Sequence, residues 1–438
     1  MAGLFITVGN IYADKERRKI AISAEDSLIQ MCRYGYYCYN LPIKEKTVTD
    51  KKEQGWEKFH LSIFADYFSL KSGDYVFIFS QRKIYGVAKL IGINESNDCV
   101  AWSFQGANDP RTKTVNGALI DEIKPENRCV CFFKPVKYYP HAIDMDEALT
   151  SFPESFKTLR VIEGRSFIKL DDEEAQALFA VLTKSNEFAC KKEPDWEPPE
   201  FDDSKQKAAI RIINQNPAAY RFTIESVLTG KKTQNIDGIS PEMAIEAALV
   251  AELNSDHSSL FNLTYVSRQV SASPAKPVEY MEWIDVFGYS ADSFLLRRSI
   301  PIQFAIDTYY VFELKKDLLY AKSKRSPQNG KDTKKVRDAK AVAHQLMKYV
   351  DWVTKTYANG KYPMVKGIIV ANDFDEKFIE YCQTHCVRNY NSGYRDSTPD
   401  VWHEIELIKY SFDDKEKKIT FSRVYPKNEN NHIRRDGG

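Results

Sequence analysis

Tyr309-Tyr310-Val311-Phe312-Glu313-Leu314-Lys315 is an apolar run that ends in an acid, a leucine and a base. Read as a β-strand, its alternation puts Glu313 and Lys315 on one face while Phe312 and Leu314 point into a core. A carboxylate and an amine then share one site. Upstream, Trp283-Ile284-Asp285-Val286-Phe287 is a second apolar strand and brings Asp285. Two hard oxygen ligands and a fixed cation suit Mg²⁺ held against a phosphodiester, with charge stabilised as the bond breaks.

The surrounding segments supply a frame for such a site. Ser240-Pro241-Glu242 reads as a helix start, with Ser240 as N-cap and proline in the first turn, and the helix runs through Leu253. Val278 to Phe287 and Thr308 to Lys315 are strand-like. Val336 to Val353 has apolar residues at helical spacing, and Val365 to Val370 is a compact buried strand. The predicted order is helix, strands, helix, strand.

On these residues the chain resembles the PD-(D/E)XK nuclease superfamily, roughly over Ser240 to Asp414, in its branch of restriction and DNA repair enzymes. Asp285 matches the metal-binding Asp, Glu313 and Lys315 match the (D/E)XK pair, and Gln345 with Tyr349 matches the helix motif that follows. Ile284 stands where the motif has proline, and 28 positions separate Asp285 from Glu313, a long connection for this fold. Asp307 is a rival for the Asp role, but it starts the same strand as Glu313. Glu246 is the preferred helical glutamate, with Glu242 and Glu252 on the same helix left open.

The resemblance implies an α/β domain with a mixed central sheet flanked by helices. It implies that Asp285, Glu313 and the Leu314 carbonyl bind Mg²⁺ or Mn²⁺, that Lys315 orients water or offsets developing charge, and that Gln345 supports them. Crowded carboxylates there should also carry raised pKa values. An isolated Glu-X-Lys on a strand is more often a surface ion pair. The ordered set, each residue in its own element, carries the reading. Between the strand and the Gln345 helix, Ala321 to Lys340 holds eight Lys or Arg, among them Lys322, Lys324, Arg325, Lys334 and Lys335. Such a run is a solvated loop or a salt-sensitive contact to a DNA backbone.

The N-terminal half has short strands rich in aromatics: Leu4 to Val8, Asp74 to Phe79, Tyr85 to Ile91 and Cys129 to Phe133. Gly73-Asp74-Tyr75-Val76-Phe77-Ile78-Phe79 and Ile84 to Gly92 flank Ser80 to Lys83 as a hairpin. This hairpin resembles the PUA-like group that includes the YTH and EVE domains, loosely over residues 1 to 187. The resemblance implies a β-barrel with helices and a pocket that takes a modified base flipped from the duplex. Trp56, Trp102 and the cluster Tyr34, Tyr36, Tyr37 and Tyr39 are candidate walls, Tyr37 foremost, and Asn10 a candidate reader of the base edge. Such aromatics also serve as barrel core or cross-strand pairs.

Cys190 to Ser204 is rich in proline and charge and reads as a connector. The expected division is a reader domain over 1–187, a linker over 188–204, a nuclease domain over 205–425 and a flexible tail over 426–438. Length agrees, since 438 residues are long for one core. The net charge of +1 gives no global basic signature, so DNA contacts must be local. Eight scattered cysteines make no disulfide framework and suit a reducing cytoplasm. Cys382-Gln-Thr-His385-Cys386 lacks the second cluster a zinc site needs, and Gly230-Lys231-Lys232-Thr233 lacks the spacing of a phosphate loop, so no nucleotide triphosphate is expected. No window approaches a membrane span.

Together these readings predict a Mg²⁺-dependent endonuclease acting on double-stranded DNA that carries a modified base, as a homodimer where both strands are cut. The alternatives are a mismatch or structure-specific repair endonuclease, or a non-catalytic nucleic-acid binding protein with a decayed nuclease fold.

Overall fold

The alternating apolar segments of the two halves build two separate sheets in the computed structural model. It describes residues 2–14, 19–40, 44–48, 51–55, 65–93, 101–104, 128–159, 167–188, 193–217, 242–272, 282–298, 300, 302–315, 339–391, 399–413, 415–416 and 418–426. The chain divides into one unit of residues 1–233, 273–281 and 301–304, and another of 234–272, 282–300 and 305–438.

The first unit contains β1 (Gly3–Thr7), β2 (Ile11–Asp14), β3 (Lys19–Ile22), β4 (Tyr36–Asn40), β5 (Lys44–Val48), β6 (Lys51–Gly55), β7 (Tyr75–Ser80), β8 (Lys83–Ile91), β9 (Ala101–Phe104), β10 (Arg128–Asp144) and β11 (Phe167–Leu170). Its main sheet has the order β11-β1-β7-β8-β10-β4, with β9 also on β10. The expected hairpin is present, with β7 antiparallel to β8. Its two turn residues, Gln81 and Arg82, both have positive φ, as the turn matching strand twist requires. Phe5, Phe77, Val87, Tyr139, Leu178 and Leu182 share the core under the helix Asp172–Phe188.

Two features of this half bear on the barrel and the connector. Among the described residues the strands form a curled, half-barrel sheet that does not close on itself. Pro135 has no N–H for the ladder, and the register of β10 on β8 slips there and again between Tyr138 and Ile143, so the strand bends without closing the sheet. The proline-rich connector is also not free. Asp195 N–H donates to Pro140 O at 2.8 Å, Trp196 Nε1 donates to Tyr139 O at 2.6 Å, and Ala142 N–H donates to Asp195 at 3.1 Å. The helix Ser204–Gln215, expected to open the second domain, continues that packing. Buried Gln206 donates to Gly35 O at 2.7 Å and to Phe133 O at 3.0 Å. Gly35 has φ 63°, and a Cβ there would lie 2.3 Å from Phe133 O, so the chain reversal after helix Ala24–Tyr34 needs glycine. The first unit therefore extends past the helix that ends at Gln215.

The second unit contains β12 (Tyr265–Ser271), β13 (Trp283–Ala291), β14 (Ile306–Leu314), β15 (Val365–Ala371), β16 (Arg388–Tyr390), β17 (Asp400–Trp402), β18 (Ile405–Asp413) and β19 (Lys418–Tyr425). Its six-stranded sheet runs β12-β13-β14-β15-β18-β19, parallel at β14-β15-β18 and antiparallel elsewhere. The helix Ala339–Thr356 makes the crossover from β14 to β15. It buries Val342, Leu346, Tyr349, Val350 and Val353, one apolar stripe at helical spacing. Gly367 lets it approach closely, since a Cβ there would sit 3.1 Å from Val350 and 3.3 Å from Leu346. The helix Glu242–Asn254 is apolar nearly all round and buries Ala244, Ile245, Leu249 and Leu253, with Glu246 buried among them. The long connection from β13 to β14 holds two short helices, Ser293–Arg297 and Ile302–Ala305. Ser240 and Pro241 lie outside the described residues, as does the 426–438 tail beyond Pro426.

Candidate active site

Sheet register decides which side chains can meet. Val286 pairs with Phe312, so the next residues in line, Asp285 and Glu313, stand opposite each other on β13 and β14. Arg268 pairs with Val286 and Val270 with Ile284, so Gln269 faces Asp285 from β12. Gln269, Asp285 and Glu313 thus form one row across three strands, and cross-strand neighbours in a row share a face.

Hydrogen bonds fix this row. Asp285 Oδ2 accepts from Leu314 N–H at 2.7 Å, while Gln269 Nε2 lies 3.5 Å from Asp285 Oδ1. Lys315 Nζ donates to Glu313 Oε1 and, at 2.7 Å, to Leu314 O, and lies 3.5 Å from Glu242 Oε1. Glu313 is fully buried, and among the described residues its Oε2 meets no hydrogen-bond donor. Burial without a partner is costly for a carboxylate oxygen.

The electrostatics follow from crowding. Burial, with the Asp285 charge beside it, pushes the Glu313 carboxyl up to about 8, against the pull of Lys315. Burial raises Asp285 to about 6, with Glu242 adding and Lys315, Leu314 N–H and Gln269 opposing. Burial works against the charge of Lys315, but Glu313, Asp285 and Glu242 outweigh it and hold the ammonium above its ordinary value.

Among the described residues no three His, Cys, Asp or Glu side chains gather as a metal cluster. A divalent ion here would have two carboxylates and a carbonyl, the sparse set that suits Mg²⁺, which keeps waters and takes further ligands from a phosphate. The residues fit such an ion: Glu313 Oε2 is an acceptor without a donor, and Leu314 O keeps a second lone pair beside its bond to Lys315.

Glu246 was the preferred helical glutamate, and the structure sets it one step back. It is buried, with Oε1 2.9 Å from Arg268 Nε and Oε2 accepting from Gln269 Nε2 at 3.0 Å. Glu242, one turn earlier, faces Lys315. Glu252 turns away to accept from Ser259 N–H at 2.7 Å. Asp307, the rival acid, is exposed at the far end of β14 and bonds to Ser290. Gln345 Nε2 donates to Tyr349 OH at 2.8 Å. Burial raises the Tyr349 phenol, and the nearby charges of Glu313 and Asp285 raise it further, so this helical pair borders the row.

Gln269 was not singled out from sequence. It has φ 50°, a left-handed conformation that costs a side-chain-bearing residue about 1–2 kcal/mol, and nothing in Tyr265-Val-Ser-Arg-Gln-Val-Ser marks it. Arg268 could have been found, because a lone arginine in an otherwise uncharged strand needs a buried partner.

The expected base pocket fares differently. Tyr37 is buried, donates to Thr7 O at 3.2 Å and meets Phe167 edge-on at 5.0 Å. Tyr36 is buried too, and Tyr34 lies under Lys205 Nζ. These are core and helix-packing contacts. Asn10 Oδ1 accepts from Ala24 N–H at 2.7 Å, which ties it to a helix start. Trp56, Tyr39 and Trp102 have side chains outside the described residues, as do Lys322, Lys324, Arg325, Lys334 and Lys335. Among the described residues no helix is long and apolar enough to cross a membrane.

No family model and no curated protein matches this chain. Among solved structures it is similar to human THYN1 protein in complex with DNA containing 5-methylcytosine, at 15% identity and a TM-score of 0.24, covering 44% of this chain and 100% of that one. It is also similar to the DUF55 domain of human thymocyte nuclear protein 1, at 16% identity and a TM-score of 0.22, covering 41% of this chain and 97% of that one. These values describe a distant likeness and assign neither a ligand nor an activity to this chain.

Proposed function

We propose that this chain is a Mg²⁺-dependent DNA endonuclease whose first unit reads a modified base and whose second unit cuts. The observation that carries the cutting half is Glu313: buried, with one oxygen on Lys315 and the other without a donor, directly across from Asp285. The element order of helix, three strands, helix and strand, with Asp285 on the second strand and Glu313 at the end of the third, further supports the resemblance to PD-(D/E)XK nucleases.

Asp285, Glu313 and the Leu314 carbonyl would hold the ion. When bound, Mg²⁺ or Mn²⁺ supplies Lewis-acid activation of a phosphodiester. Lys315 does the rest of the local work, placing a positive charge where negative charge develops in the transition state. The Gln345–Tyr349 pair keeps the helix face against the row from shifting. Two cuts in a duplex then require two sites, so a homodimer is the default for double-strand cleavage. Base reading rests on the resemblance of the β7–β8 hairpin alone, with Trp56 and Trp102 as the remaining wall candidates.

The test is cleavage by the full chain of unmodified, 5-methylcytosine, 5-hydroxymethylcytosine and mismatched duplexes, with Mg²⁺, with Mn²⁺ and with chelator. Metal-dependent scission confined to modified DNA, abolished by Glu313→Ala, is the expected result. Cleavage favoured by mismatches moves the assignment to repair. Binding without scission under every condition leaves the decayed-fold reading and ends this one.

A further inference from the structure

Gln269 is a residue of the second unit with a left-handed backbone that no part of the proposed chemistry uses. Its left-handed backbone interrupts β12 at the position facing Asp285. The distortion aims its carboxamide at two acids from different elements, Glu246 Oε2 at 3.0 Å and Asp285 Oδ1 at 3.5 Å. Glu246 is itself anchored by buried Arg268, so the amide ties Asp285 to a fixed point on the helix Glu242–Asn254. Asp285 Oδ2 is held from the opposite side by Leu314 N–H. One donor on each oxygen sets the plane of the carboxylate. Strain that persists at such a position is characteristic of a functional constraint.

We infer that Gln269 is a positioning residue for the divalent-ion site: its carboxamide fixes the orientation in which Asp285 presents its carboxylate beside Glu313. This rests on the nuclease reading and adds a residue to it. The inference separates from a merely structural role because a merely structural glutamine leaves ion affinity unchanged in any variant that folds. Glycine adopts φ 50° freely, so the strain that Gln269→Gly relieves offsets part of what is lost with the bond to Glu246 Oε2. The substitution also deletes the amide that holds Asp285.

Mn²⁺ binding to the full chain, followed by electron paramagnetic resonance and by calorimetry beside thermal melting, tests this without DNA. The wild type should bind Mn²⁺, and Gln269→Gly should bind at least tenfold more weakly while keeping a cooperative melting transition. Gln269→Asn, which keeps an amide and tolerates positive φ but is one methylene shorter, should fall between the two and serves if the glycine variant does not fold. Binding of wild-type strength in a folded Gln269→Gly or Gln269→Asn protein overturns the positioning role and leaves the nuclease reading intact. Absence of Mn²⁺ binding by the wild type overturns both.

Discussion

Replacing Glu313 by glutamine should make the metal-free protein more stable at alkaline pH, and the size of the gain can be worked from the site. The carboxyl titrates at 4.5 when exposed and at about 8 in the folded chain, because burial and Asp285 both oppose its charge. The folded state therefore binds a proton that the unfolded chain releases. The stability this gives is fully present below pH 4.5 and is lost as pH rises to 8. At 1.36 kcal/mol per pH unit, the loss over that interval is about 5 kcal/mol. Lys315 stays charged throughout, since its neighbours hold it above its ordinary value. The substituted carboxamide mimics the protonated acid and has no proton to lose, so the two proteins should match near pH 4.5 and diverge by several kcal/mol at about pH 8.5. Denaturant unfolding in chelator, followed by hydrogen exchange of β14, reads the difference where it arises. A saturating divalent ion should then stabilise the wild type at that alkaline pH, by about 2.7 kcal/mol at a hundredfold excess over its dissociation constant, and leave the variant unmoved. Parallel pH profiles for the two proteins would refute the placement of Glu313 as a charge-starved acid.

Lys315→Ala should abolish scission while DNA affinity stays within about twofold, because one ammonium is a small part of a phosphate-dominated interface; gel shift beside nicking assays checks both. Gly35→Ala should destabilise the first unit by at least about 2 kcal/mol, from its left-handed backbone and the collision of the new Cβ with Phe133 O, visible as a lower melting transition. Glu174→Ala should cost about 3 kcal/mol in the same unit, since Glu174 Oε1 accepts from Lys157, Thr158 and Leu159 N–H at 2.7, 2.6 and 3.0 Å and alanine leaves three buried donors unpaired, which a thermal melt should show. Asp351→Asn should cost only about 1 kcal/mol by denaturant unfolding, because its paired bonds from Arg388 at 2.8 and 2.9 Å are half exposed.

Residues whose role is set by local pattern were legible in the sequence. Alternation alone aligned Glu313 with Lys315, and the apolar runs around Asp285 and Val365 gave the strands that carry and flank them. Residues whose role is set by what packs on them were not. The aromatic cluster around Tyr37 has the same composition whether it lines a pocket or fills a core, and only its bond to Thr7 O and contact with Phe167 decide for the core. Asn10 reads as a base-edge contact in the sequence, which does not show that Ala24 N–H bonds to its oxygen. The prolines of 194–199 announce that the segment is neither helix nor strand, but not that β10 satisfies its backbone. The choice among Glu242, Glu246 and Glu252 needed helix rotation, which a helix apolar on nearly every side does not reveal.

The row Gln269–Asp285–Glu313 concentrates costs that folding alone does not require. A left-handed glutamine, a buried carboxylate oxygen without a donor and two carboxyls with raised pKa values stand side by side in a sheet that is otherwise closely packed. Glu313→Gln removes the unmet charge and Gln269→Gly the strain, the second with loss of the bond to Glu246 Oε2. A binding module with a decayed nuclease fold has no use for strain and unmet charge placed together. They fit a site that trades stability for readiness to take a cation. A combined Gln269→Gly, Glu313→Gln variant puts the two accounts in conflict. A working site should yield a more stable, alkaline-tolerant protein that neither binds Mn²⁺ nor cuts. A decayed one should yield the same gain in stability with every nucleic-acid property of the wild type unchanged.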